Sequence, residues 1–132
     1  MAKILICEDD ELYQQIAEAA FAGGEHNVTF ASDGLQALQR LNESTFDLVV
    51  TDLMMPDKDG LEVIRAIRES NAKTPILAMT AGLASLKEPL LVAASALGAN
   101  DVIQKPFRPG ALRERVAGLL AQSRKDQKSI AV

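Results

Sequence analysis

The chain has 132 residues, of which 48% are hydrophobic and 24% charged, with a formal net charge of −4. That length suits one domain, the composition excludes intrinsic disorder, and no apolar run approaches the length of a membrane span. Charge is uneven: residues 1–104 carry 7 basic and 16 acidic side chains, whereas residues 105–132 carry 7 basic and 2 acidic ones. An acidic main body argues against binding a nucleic-acid backbone, so neither nucleic acid nor membrane is expected as a partner. The single cysteine, Cys7, has no internal disulfide partner, and it fits a reducing cytoplasm as a small buried hydrophobe.

Short β-rich runs alternate with longer helical ones. Lys3–Cys7 reads as a buried strand and Glu11–Gly23 as a helix with Leu12, Ile16, Ala19 and Ala20 inward. A second strand is expected over Asn27–Ala31, followed by a helix that Asp33 can cap ahead of Leu35, Leu38 and Leu41. Asp47–Thr51 is continuously apolar up to its end and reads as a central strand. Pro56 and Gly60 fit a tight turn before a helix over Leu61–Ser70. Pro75–Met79 gives a fourth strand, and a helix starting near Glu88 or Pro89 ends at Gly98, a natural residue for its C-terminal turn. Asp101–Gln104 is a brief fifth strand, and Pro109 opens a last helix carrying Leu112, Val116, Leu119 and Leu120 at helical spacing. Residues 1–122 form the expected domain, and 123–132 a polar, frayed tail.

Strands alternating with helices imply an α/β fold with a parallel sheet covered on both faces, and right-handed crossovers make it a doubly wound open sheet. Ligands of such sheets bind beyond the carboxyl ends of the strands. Glu8 and Asp9 follow strand one, Asp52 strand three, Thr80 strand four and Lys105 strand five. Singly, each has an ordinary explanation as a cap or surface residue; together they make a phosphoryl-transfer site. Clustered carboxylates repel one another and invite a hard cation such as Mg²⁺. A carboxylate can accept a phosphoryl group as an acyl phosphate, with an ammonium neutralising the phosphoryl oxygens. Asp10, beside the acidic pair, is assigned to capping the first helix.

The segments KILICEDDE, TDLMMPDKDGLEVIR, ILAMTA and GANDVIQKPF resemble, in order, the signature stretches of response-regulator receiver domains, over residues 2–122. The resemblance implies a flavodoxin-like five-stranded sheet of order 2-1-3-4-5 with five helices, in a single-domain receiver of the chemotaxis-regulator kind. It implies Asp52 as phosphoacceptor, with Thr80 as switch hydroxyl and Lys105 as phosphate-contacting lysine. Mg²⁺ would be held by Glu8, Asp9, Asp52 and the Met54 backbone carbonyl. The implied partners are a histidine kinase or histidine phosphotransfer protein and an unidentified downstream protein. The implied role is a cytoplasmic switch, not an enzyme beyond its own phosphorylation and dephosphorylation.

Two departures stand out. Val102 occupies a strand-five position that is often aromatic in the family, so an aromatic rotation cannot be the output signal. The stretch 81–97 is longer and more apolar than usual, and Leu90, Leu91 and Val92 cannot all face inward on one helix. Two alternatives are a receiver fold retained only as an interaction module, and a phosphohydrolase of the haloacid-dehalogenase type. The first sits poorly with the complete polar set; the second wants an aspartate where this chain has Met54.

Overall fold

The computed structural model describes residues 2–55, 59–70, 73–80 and 92–131, with side chains up to residue 125. Five parallel strands, β1 (Lys3–Cys7), β2 (Asn27–Ala31), β3 (Leu48–Asp52), β4 (Ile76–Thr80) and β5 (Asp101–Gln104), form one sheet in the order β2-β1-β3-β4-β5. The helices are α1 (Glu11–Ala20), α2 (Gly34–Glu43), α3 (Gly60–Ser70), α4 (helical residues 92–97) and α5 (Pro109–Ala131). The architecture is the doubly wound sheet with the strand order expected.

Side-chain alternation along each strand sorts the core into two layers. Ile4, Ile6, Leu48, Val50, Leu77 and Ile103 pack with Ala17, Ala20, Leu112 and Val116 of α1 and α5. Leu5, Cys7, Val49, Ile76 and Ala78 pack with Ala37, Val63, Ile64, Ile67 and Ala94 of α2, α3 and α4. β3 and β4 are buried at every position, as strands covered on both faces must be.

Several boundaries differ from expectation. β3 and β4 each lie one residue later, so Asp52 and Thr80 are the last residues of their strands. Asp47 lies just before β3, with its N–H donating to Lys3 O and its carboxylate accepting from the Lys3 N–H, each at 2.7 Å. Pro75 has no N–H to donate, although its carbonyl accepts from Val49 N at 3.0 Å. Helix α1 stops at Ala20, and its inner face is built on Ala17 and Ala20, while Leu12 is 58% exposed and Ala19 also faces out. Two apolar stripes overlap in that sequence; the one containing Tyr13 prevails, because Tyr13 packs on Phe107. At the other end of the chain, α5 continues through the polar residues after Ser123 to Ala131, a stretch free of Gly and Pro and rich in good helix formers.

The capping expectations agree with the structure. Asp10 accepts from Leu12 N at 2.8 Å and Asp33 from Gln36 N at 2.8 Å. Gly98 ends α4 at φ 115°, where a side chain would also run into Arg68. The Arg68 guanidinium donates to the carbonyls of Thr74 and Gly98 and to Asn100 Oδ1, binding the end of α3 to the turns flanking β4 and β5. Pro56, the proposed start at Glu88 or Pro89, and Leu90 and Leu91 lie outside the described residues; Val92 is exposed.

Gly60 is explained differently from expectation. It is the first residue of α3, and a Cβ there would strike the Asp52 carbonyl oxygen and approach Leu53 Cα to 2.7 Å. Close passage of two backbones requires this glycine, rather than a turn conformation.

Candidate functional site

The same alternation that builds the core also assembles the site. Ile4 and Ile6 lead in phase to Glu8, Leu48 and Val50 lead to Asp52, and Ile103 leads to Lys105, all toward the α1/α5 side. Parallel pairing places these positions at one edge: Cys7 pairs with Thr51, Asp52 with Met79, and Thr80 with Gln104. Thr80 falls in the opposite phase of the alternation.

Lys105 closes the cluster. Its Nζ donates to Glu8 Oε1 and to Asp52 Oδ2, each at 2.8 Å, and its side chain is almost fully buried. Asp52 Oδ1 accepts from the Met54 N–H at 3.1 Å, and Met54 itself is exposed. Glu8 is anchored through its main chain, donating N–H to Ala31 O at 2.9 Å and accepting from Gln14 Nε2 at 2.7 Å. Asp9 is exposed at the mouth, and oxygens of Glu8, Asp9 and Asp52 lie within 4.8 Å of one another.

Burial and the neighbouring Asp52 carboxylate push Glu8 up to about 8, with Lys105 opposing the rise. Burial works against the charged form of Lys105, yet its bonds to Asp52 and Glu8 outweigh it and hold the ammonium above its ordinary value. Two polar atoms here are buried without a hydrogen-bond partner among the described residues, Glu8 Oε2 and Thr80 Oγ1. An orphaned carboxylate oxygen beside two further carboxylates fits a divalent cation, and an orphaned hydroxyl at the next strand end fits a phosphoryl oxygen.

The structure thus brings together Glu8, Asp9, Asp52 and Lys105, with Met54 N–H on Asp52, and sets Thr80 at the end of the adjoining strand. Asp10 turns away to cap α1 and is outside the acidic triad. Sequence reasoning missed Tyr13, whose ring lies 4.2 Å from Lys105 Nζ. Its only sequence signal was an aromatic one turn into the helix that follows the acidic pair.

A family model for the response regulator receiver domain matches residues 4–117. The chain belongs to that family. It is 34% identical over 121 residues to the alkaline phosphatase synthesis transcriptional regulatory protein PhoP of Bacillus subtilis, covering 92% of this chain and 49% of that relative. It spans about half the length of the curated relatives it matches. Among solved structures, the Vibrio cholerae chemotaxis protein CheY4 superposes with a TM-score of 0.79 at 29% identity, over 90% of this chain and 98% of that one. The receiver domain of the Pseudomonas aeruginosa sensor histidine kinase PA1611, solved with a magnesium ion in its active-site cleft, gives 0.78 at 31% identity, over 91% and 98%. This receiver domain is therefore a part of two-component signalling, and no described helix is long and apolar enough to cross a membrane.

Cys7, one residue before Glu8, is fully buried. Burial pushes its thiol up to about 12; a contact with Thr51 pulls it down, and the Glu8 charge adds to the rise. The native receiver should therefore resist iodoacetamide at about pH 8 and react once unfolded in urea. Below about pH 9 the thiol is protonated in both states; above it only the unfolded chain ionises, so this group lowers stability as pH climbs toward 12. Prompt alkylation of the native protein would contradict its burial.

Proposed function

We propose that this receiver accepts a phosphoryl group on Asp52 from a histidine kinase or histidine phosphotransfer protein, in the presence of Mg²⁺. The observation that carries this is the placement of the Lys105 ammonium against Asp52 beside a triad of carboxylate oxygens. A carboxylate oxygen of Asp52 forms the new O–P bond as the N–P bond of a donor phosphohistidine breaks, and the leaving imidazole takes up a proton. Lys105 then exchanges part of its carboxylate bonding for a phosphoryl oxygen, and the Thr80 hydroxyl gains an acceptor where the described residues offer it none. Glu8, Asp9, Asp52 and the Met54 carbonyl would hold Mg²⁺, which supplies charge neutralisation at the phosphoryl oxygens. The magnesium-bearing cleft of the PA1611 receiver supports that assignment by analogy.

In this reading the protein is a cytoplasmic phosphoacceptor, not a turnover enzyme, and it signals through protein contacts that depend on the state of Thr80. Several relatives are transcriptional regulators by name and about twice this chain's length. Those names are in tension with the expectation that nucleic acid is not a partner.

Intact-mass spectrometry after incubation with Mg²⁺ and acetyl phosphate should show one added phosphoryl group, mapped to Asp52 and absent from Asp52→Ala. Full labelling of that variant at another residue would remove Asp52 from its role.

A further inference from the structure

An ammonium has three N–H donors. Two of those on Lys105 are taken by Glu8 and Asp52. On a side chain only 5% exposed, water has little access to the third. The Tyr13 ring lies against the ammonium, with its centroid 4.2 Å from Nζ, a separation at which a cation is attracted to an aromatic face. The ring is itself fixed. Asp10 caps its helix, Gln14 Nε2 bonds back to Glu8 O at 2.7 Å, and Phe107 meets it at 5.3 Å with the rings inclined by 51°. Phe107 lies two residues beyond Lys105, so the aromatic pair holds both ends of the segment that carries the ammonium.

We propose that Tyr13 is a positioning residue for phosphoryl transfer, its ring face holding the Lys105 ammonium between Glu8 and Asp52 in place of water. The rate consequence rests on Asp52 being the phosphoacceptor; the contact itself does not. A ring partner suits this task better than a third carboxylate. It stabilises the ammonium without a hydrogen bond that the incoming phosphoryl oxygen would have to displace. It also adds no negative charge to a site that must receive an anion. The hydroxyl of Tyr13 has no part in the scheme, so phenylalanine should serve as well.

The test has two readouts. In the resting protein, protons at the end of the Lys105 side chain should be shifted upfield by the ring current, in the parent and in Tyr13→Phe, and should return toward ordinary values in Tyr13→Leu. With Mg²⁺ and saturating acetyl phosphate, Tyr13→Leu should be phosphorylated about tenfold more slowly, with Tyr13→Phe restoring the rate. Phenylalanines of increasing ring fluorination at position 13 keep the shape and apolar character while draining the π face, so the rate should fall stepwise along that series. A rate that is flat or rises across the series, or a Lys105 resonance indifferent to Tyr13→Leu, overturns the proposal. If the parent takes up no phosphoryl group, the assignment of Asp52 fails, and the Lys105 resonance alone decides whether Tyr13 holds the ammonium.

Discussion

Lys105→Met should lose about 3 kcal/mol of stability in metal-free buffer near pH 9.5, and clearly less near pH 7. Methionine keeps the length and apolar stem of lysine but removes the charge, leaving two carboxylates face to face: Glu8, fully buried, and Asp52, only 7% exposed. Glu8 already stands raised to about 8 against a usual value of 4.5, and losing the ammonium raises it further. The sign follows from linkage: an acid raised in the folded state is at no disadvantage below its unfolded value, and it costs stability as pH rises through its folded one. The parent already bears the cost of Glu8 up to about pH 8, so the variant's deficit must grow as pH rises above that value, and a divalent cation should offset it. Urea unfolding in EDTA at both pH values checks this, and a deficit indifferent to pH would show that the carboxylates are not in contention. Phosphorylation by acetyl phosphate should also slow by at least about 100-fold, the usual effect of removing a preorganised charge partner from a developing anion.

Gly60→Ala should be the most damaging of the small substitutions, costing about 3 kcal/mol or more and lowering phosphorylation in whatever fraction still folds. The atoms a new methyl would meet are all backbone, those of Asp52 and Leu53, so no side-chain rotation can make room. Either α3 moves off the sheet or the end of β3 shifts, and the second displaces the Asp52 carboxylate. By contrast, Gly118→Ala in α5 has open space around its Cβ and should be neutral or slightly stabilising. Thermal unfolding of the two variants side by side separates steric conflict from glycine loss in general. Equal melting temperatures would refute the steric account.

The polar set was legible because Glu8, Asp9, Asp52, Thr80 and Lys105 each stand at the carboxyl end of an expected strand, and a parallel sheet brings those ends to one edge. The strand ends themselves were legible only to within one residue, since periodicity does not show bonds at a boundary such as those between Asp47 and Lys3. Helix α1 was misjudged for a different reason. Its sequence carries two adjacent apolar stripes, and the choice between them depends on Phe107, which is distant in the chain. The roles of Gly60 and Tyr13 were hidden for the same cause, because each is set by what another segment brings to it. Local periodicity describes one element at a time, whereas close backbone passage and cation–ring contact are properties of pairs.

The sheet order has a consequence for how the site opens. β1 and β3 each hydrogen-bond to strands on both sides, whereas the four residues of β5 pair with β4 alone. The carboxylates are therefore rooted in the least separable part of the molecule, and Lys105 is carried by its border. In native-state hydrogen exchange, the amides of Val49–Thr51 should be released only with complete unfolding, while those of Val102 and Ile103 should exchange through a smaller, cheaper opening. During such an excursion the ammonium leaves and the carboxylates stay, so the receiver would pass briefly through a form carrying the full repulsion of its acidic cluster. Divalent cations should favour that form over the closed one, which would appear as faster exchange in β5 as Mg²⁺ is added.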